Sequence, residues 1–491
     1  MKKRDHCSFI PHIVSVFGIC FAFGLVGCDD DPTPSEPATE WTTDQLAIIV
    51  PAEAETALGW AADDLQAWLE AATGTVPELV NATSETDARF FILVGEGDWE
   101  CPSIDSEQAH AYAEIDHEGH EALALCGGGL LGQQYAVYTY LFDLGFRFVH
   151  PEQTLVPTLE SLPAGLPEGA TTDVQTPGLD VRGFHHHTQH PLELLEALLT
   201  DDPVEVERAY RFVDWNLRNR QNIVQWILLD SVPEEEMLSQ AGRIVDYAHQ
   251  RGMMVSCVSS YNEEQQNAHR LIDTDDEIDD IAQLRASLDA LTEVPWDKIV
   301  LNLGSSEFSE TDDVGTVEWM DETAEYLSQI APNTQVYASN HVPAGIMSET
   351  YGVSFYDLPQ FADSRMGTYV HTTMSYGLEG PAPAYGNADF GRQTAFLLDQ
   401  VDDRNIVYYP ESAWWLTFDN AIPLSPAMYF RVRSADIRFV GAVDGIEGHV
   451  TFSSGWEWGY WLTDMLIAHQ SWQPELQMGD VFGSLLDPIA P

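Results

Sequence analysis

Apolar and polar positions change rhythm along this chain of 491 residues. From Trp41 to about Val156, short β-rich runs at 46–50 (LAIIV), 89–95 (RFFILVG) and 121–126 (EALALC) alternate with helical stretches at 53–72 and 132–144. In the first helical stretch Leu58, Ala61, Leu65, Trp68 and Leu69 recur at spacings of three and four, which predicts one apolar helix face. This is the pattern of a compact α/β unit, in which Gly127, Gly128 and Gly129 lack the spacing of a phosphate-cradling loop and read as a strand-to-helix turn. Residues 157–177, rich in Pro, Gly and Thr, read as a linker. After Pro177 eight strand-like apolar runs follow at 181–187, 222–229, 253–260, 298–308, 335–341, 368–376, 405–415 and 445–454. Amphipathic stretches at 204–220, 234–251, 277–291, 317–330 and 390–402 lie between them. Eight β runs with intervening helices predict a (β/α)8 barrel over 178–491, preceded by a small α/β accessory domain over 41–156; an open doubly wound sheet is the alternative.

Composition narrows the function classes. A hydrophobic fraction of 44% with 14 Trp excludes wholesale disorder. A formal net charge of −58 repels phosphate backbones, so nucleic acid is excluded as a partner, and the acidity reads as a solvated surface. At the N-terminus Lys2, Lys3 and Arg4 precede an apolar run that ends in Leu25-Val26-Gly27-Cys28. This resembles a bacterial lipoprotein signal over 1–28, which implies lipidation of Cys28 in the cell envelope, with 29–40 (DDDPTPSEPATE) as an extended tether and the lipid as the sole membrane contact. Cys101, Cys126 and Cys257 remain, an odd number that gives no disulfide framework, although Cys101 and Cys126 can pair in an oxidising compartment. Neither CxxC nor HExxH occurs, and no cofactor or metal is expected.

The layout of small α/β domain plus barrel resembles that of family 20 hexosaminidases and family 67 α-glucuronidases, with residues 132–157 (GQQYAVYTYLFDLGFRFVHPEQTLVP) similar to the end of their accessory domain. Over Trp41 to about Trp472 the chain is most similar to the bacterial family called domain of unknown function 4838, through RGFHHH at the start of the barrel and GWEWGYW late in it. Family 20 enzymes carry an Asp-Glu pair at the fourth barrel strand. Here Ser306 precedes Glu307, which argues against substrate-assisted hydrolysis of an N-acetylhexosaminide.

Barrel active sites are built at the C-terminal ends of the strands, and polar residues gather there. Glycoside hydrolysis needs two carboxyl groups, one to protonate the leaving oxygen and one to attack or to activate water. Glu307 on the fourth run and Glu411 on the seventh meet that need; by resemblance to the large clan of retaining barrel glycosidases, Glu307 is the acid/base and Glu411 the nucleophile. His185 and His187 share one strand face and, with His341 and His371, read as hydroxyl contacts or as groups that orient Glu307, with a plain structural role and a metal site as the alternatives. Tyr409, Trp415 and Trp456 are the candidate sugar-stacking rings, because the C–H face of a sugar packs on an aromatic plane. The expected function is a cell-surface glycoside hydrolase on polysaccharide or oligosaccharide; the alternative is a catalytically silent carbohydrate-binding lipoprotein.

Overall fold

The eight predicted apolar runs form eight strands, numbered here in chain order: Val181–His186, Ile223–Ile227, Met254–Ser260, Lys298–Asn302, Gln335–Ser339, Met366–Thr372, Ile406–Pro410 and Ile446–Ser453. They run parallel in sequential order and close into a barrel when the first strand pairs with the eighth, from Val181 against Gly448 to His186 against Ser453. A parallel strand buried on both faces must be apolar nearly throughout, which is why these runs stand out in the sequence. The computed structural model describes residues 40–190, 193–263, 265–304, 312–342, 344–413, 427–454 and 456–489.

Helices Val206–Arg218, Glu234–Gln250, Asp280–Leu291, Asp313–Ile330 and Gly391–Gln400 cover the barrel where the spacing of apolar residues predicts them. Asp279 and Asp312 cap two of these helices by accepting from the Ala282 and Gly315 N–H groups, which fixes where they start. The crossover after the fifth strand carries a 3₁₀ stretch, Phe355–Phe361. Helices Met428–Val440 and Trp461–Trp472 complete the outer ring after the seventh and eighth strands.

The N-terminal residues form a five-stranded sheet in the order Glu78–Val80, Leu46–Ile49, Phe90–Val94, His120–Gly127 and His110–His117, with only the last strand antiparallel. Alternation sorts its side chains: Leu46, Ile48, Ile92 and Leu123 face helices Thr56–Thr73 and Leu130–Asp143, while Ala47, Ile49, Phe91, Leu93 and Cys126 form a second cluster on the other face. Cys101 is bonded to Cys126 beside that cluster, and Cys257 is a buried thiol in the barrel. Helix Leu130–Asp143 reaches the barrel, where Gln134 donates to the Arg251 carbonyl at 2.8 Å and the Tyr135 hydroxyl to the Gln221 carbonyl at 3.0 Å. Sheet and barrel therefore share one core, and the stretch 157–177 is stitched to the N-terminal layer through Leu162–Pro163, which pairs with Glu40–Trp41. Among the described residues no helix is long and apolar enough to cross a membrane. Cys28 lies outside the described residues.

One irregularity in the barrel matters for the site. The register between the seventh and eighth strands slips by one residue, so that Ile406 faces Ile446 but Val407 faces Gly448. The bulge turns Glu447 inward at the N-terminal end, where it accepts from Lys298 Nζ at 3.1 Å and from the Tyr337 hydroxyl at 2.7 Å. It also sets the alternation that brings Phe452 to the opposite mouth. Gly448 makes this possible with φ of 151°, and a Cβ there would sit 1.8 Å from the Val181 carbonyl oxygen. Gly448→Ala is expected to cost about 3 kcal/mol or more. An unchanged denaturant midpoint for that variant would contradict this account of the bulge.

Candidate active site

The C-terminal mouth of the barrel encloses a cavity of about 300 Å³ to which all eight strands or the turns that follow them contribute. The period of two is visible in its walls: Gln225 and Ile227 on the second strand, Val300 and Asn302 on the fourth, Ser339 and His341 at the fifth, Tyr409 and Glu411 at the seventh. Backbone strain concentrates there too, since Gln266, Met374 and Tyr385, three of six described non-glycine residues with positive φ, line the cavity.

Glu411 follows the seventh strand directly and lines the cavity with its side chain 12% exposed. Its Oε2 accepts from the Met374 N–H at 2.5 Å, and its Oε1 lies 3.5 Å from His371 Nε2. Burial raises its carboxyl from the ordinary 4.5 to about 8, against the opposing pull of the Met374 N–H and of the Arg433 charge. With its pKa near 8, this carboxyl keeps its proton at neutral pH. His371 faces this carboxyl as a neutral ring. Its Nδ1–H donates to the Tyr409 carbonyl at 3.0 Å, which leaves the Nε2 lone pair facing Glu411, and burial holds the ring neutral with its pKa lowered to about 3.

The turn that supplies the Met374 N–H is clamped from behind. Arg433 donates to the Tyr376 carbonyl and, at 2.9 Å, to the Tyr408 hydroxyl, and it pairs with Asp436 at 3.1 Å. Ser412, the next residue after Glu411, donates to the buried Asp464 at 2.8 Å. Glu411 is thus fixed by its own strand, by the turn after the sixth strand and by helix Trp461–Trp472.

A proton held on this carboxyl has a consequence for stability. The unfolded chain ionises Glu411 above about pH 4.5, the folded chain only near pH 8, so the group's contribution is fully present below the first value and is lost as pH rises through the second. Glu411→Gln removes that loss. Its Tm is expected to exceed the wild-type value by a few degrees at about pH 8.5, and the difference should shrink towards about pH 5. An equal difference at both pH values would contradict the raised pKa.

The second carboxyl in the cavity is Glu263, which sequence reasoning missed. It follows the third strand, is 8% exposed, and its N–H donates to Ser260 Oγ at 2.9 Å. The third and seventh strands stand four places apart in a closed ring of eight, so Glu263 and Glu411 come from opposite walls. Glu307, the expected partner, lies outside the described residues, as does Trp415; the fourth strand reaches the cavity through Asn302, Leu303 and Gly304.

The predicted histidines separate into walls and support. His187, His341 and His371 line the cavity, and so does Tyr409, whose ring lies 4.9 Å from that of His371. His185 does not line it. It is fully buried and relays orientation: Gln225 Nε2 donates to His185 Nδ1 at 2.9 Å, and His185 Nε2 faces His187 Nδ1 at 3.3 Å. That chain of donors leaves His187 with its Nε2–H free to donate, and burial keeps both rings neutral. His186 points outward onto Phe212, with ring centroids 4.0 Å apart. Trp456 is not a cavity wall either. The eighth strand ends at Ser453, so its alternation does not carry to Trp456, which is buried beside His150 and beneath the Arg208 guanidinium, 4.8 Å from the ring centroid.

Several wall atoms are polar acceptors that face the cavity. Gln225 Oε1, Asn340 Oδ1 and His341 Nδ1 are buried without a partner among the described residues. Unsatisfied buried polar atoms are costly, and hydroxyl groups of a bound molecule can satisfy all three. Among the described residues no group of three or more side chains is placed to hold a metal ion.

Solved structures of glycoside hydrolases share this fold of a closed parallel barrel. The chain is similar to a GH138 enzyme targeting pectin rhamnogalacturonan II, with a TM-score of 0.56 and 14% identity, covering 88% of this chain and 64% of that one. It is similar to a GH115 4-O-methyl-α-glucuronidase with specificity for decorated arabinogalactans, with a TM-score of 0.61 and 12% identity, covering 91% and 59%. It is similar also to the GH20 chitobiase of Flavobacterium johnsoniae, with a TM-score of 0.57 and 11% identity, covering 92% and 70%. The chain thus spans about three-fifths of the length of the first two. No family model matches it, and no curated protein matches it by sequence.

Proposed function

We propose that the chain is a cell-envelope glycoside hydrolase acting on polysaccharide or oligosaccharide, with Glu411 as general acid/base and Glu263 as the carboxylate across the cavity. The observation that carries this reading is the placement of Glu411 in the barrel-mouth cavity between the Met374 N–H and His371 Nε2, with its carboxyl pKa raised to about 8. In the retaining course, Glu263 attacks the anomeric carbon as the glycosidic C–O bond breaks, and the leaving oxygen takes the Glu411 proton. Water then attacks the glycosyl–Glu263 ester, and the Glu411 carboxylate, now the base, takes a proton from it. Asn340, His341 and the Gln225–His185–His187 relay orient sugar hydroxyls, and none of these steps needs a cofactor. The printed targets of two structural neighbours, rhamnogalacturonan II and decorated arabinogalactans, support a plant polysaccharide fragment as substrate. The first test is a hydrolysis screen on aryl glycosides of both anomers, with Glu411→Ala as control. Turnover that this variant matches at every leaving group would overturn the reading.

The cell-envelope part rests on the lipobox at 25–28 and the Pro-rich stretch after it. RGFHHH and GWEWGYW support membership of the family called domain of unknown function 4838. Cys28→Ser is expected to leave the protein unprocessed and without an acyl chain. A variant still cleaved at that position and still membrane-attached through lipid would contradict the anchor.

A further inference from the structure

The cavity offers hydrogen bonds and carboxyls but no permanent cation. Of the 21 Lys and Arg residues, three are Lys2, Lys3 and Arg4, and every other one falls among the described residues; none of them lines the cavity. The segments outside the described residues after residue 40 therefore contain no Lys or Arg to bring to the mouth. Lys298, the sole lysine after residue 40, is bonded to Glu447 and Tyr337 at the N-terminal end of the barrel. Arg433, behind Glu411, is occupied by Asp436, Tyr408 and the Tyr376 carbonyl.

Imidazoles do not replace the missing cation. Burial lowers the pKa of His341 to about 4 and of His371 to about 3, and it lowers that of His187 well below its ordinary value, so these rings are neutral at pH 7. A carboxylate or sulfate entering this space would surrender its hydration with no counter-charge to replace it. The field of a chain with net charge −58 adds to that penalty before entry. Hydroxyl groups meet the opposite situation, because the unpartnered Asn340 Oδ1, His341 Nδ1 and Gln225 Oε1 can all be satisfied by them.

We infer that the cavity takes an uncharged glycosyl unit and excludes uronate and sulfated sugars. The inference rests on the glycoside-hydrolase reading for its ligand class, and a matched-pair experiment separates the two. Full-length protein is assayed with p-nitrophenyl glucoside against glucuronide and galactoside against galacturonide, in both anomers, and the same sugars as methyl glycosides are followed by saturation-transfer NMR. The members of each pair differ only at C6. The neutral member is expected to be cleaved or bound at least about tenfold better than its uronate. Equal or better handling of a uronate overturns the exclusion and leaves the hydrolase reading standing. Binding of neutral sugars without cleavage of any substrate overturns the hydrolase reading and supports the exclusion. Failure of both members of every pair to bind or react overturns both.

Discussion

Glu411→Ala is expected to lower kcat/KM for alkyl or sugar leaving groups by about 10³-fold or more, while activated aryl glycosides such as dinitrophenyl glycosides lose about tenfold or less. The contrast follows from the position of the proton. A poor leaving oxygen departs only if it is protonated in the transition state, and Glu411 is the group that burial keeps protonated at the cavity wall. A stable phenolate departs without help. The effect also separates chemistry from folding, because removing a carboxyl that resists ionisation should leave the fold intact at neutral pH. A uniform loss across leaving groups would assign Glu411 to binding or to nucleophilic attack.

Glu263→Ala should behave differently, with turnover of good and poor leaving groups falling together by about 10⁴-fold. It removes the group that attacks the anomeric carbon, a step that every substrate needs. Azide fits the space left by the carboxylate and should restore part of the rate with activated substrates, giving a glycosyl azide whose anomer reports the side of attack. If Glu263→Ala keeps more than about a tenth of the wild-type rate, a loss below about 1.4 kcal/mol of transition-state stabilisation, the second carboxyl is another residue. Glu307, which follows the fourth strand and comes from the sequence pattern alone, is then the next to replace.

The barrel was legible because its strands are buried on both faces and so read as uninterrupted apolar runs. Their ends were less so: the run 298–308 continues past Asn302, where pairing with Ser339 on the fifth strand ends. Helix Met428–Val440 was invisible to an apolar-periodicity reading because it buries charge, the Arg433–Asp436 pair one turn apart, on the face that meets the barrel. Glu411 could be found because it ends an apolar run and stands alone. Glu263 could not, since it lies in a polar stretch, YNEEQQN, beyond the strand, and only the closed ring places it across from Glu411. Histidine roles were half-visible: alternation put His185 and His187 on one face, but depth along the barrel, which sequence does not carry, makes the first a support and the second a wall.

The most direct test of the account is the pH dependence of kcat/KM for wild type and Glu411→Ala on an aryl glycoside whose leaving group still needs protonation yet leaves measurable activity in both. The wild-type profile should fall on the alkaline side with an apparent pKa near 8, as Glu411 loses the proton that it must donate. In Glu411→Ala that alkaline limb should vanish. An alkaline limb at the same position in the variant would show that the proton donor is another group and would contradict the assignment on which the proposed mechanism depends.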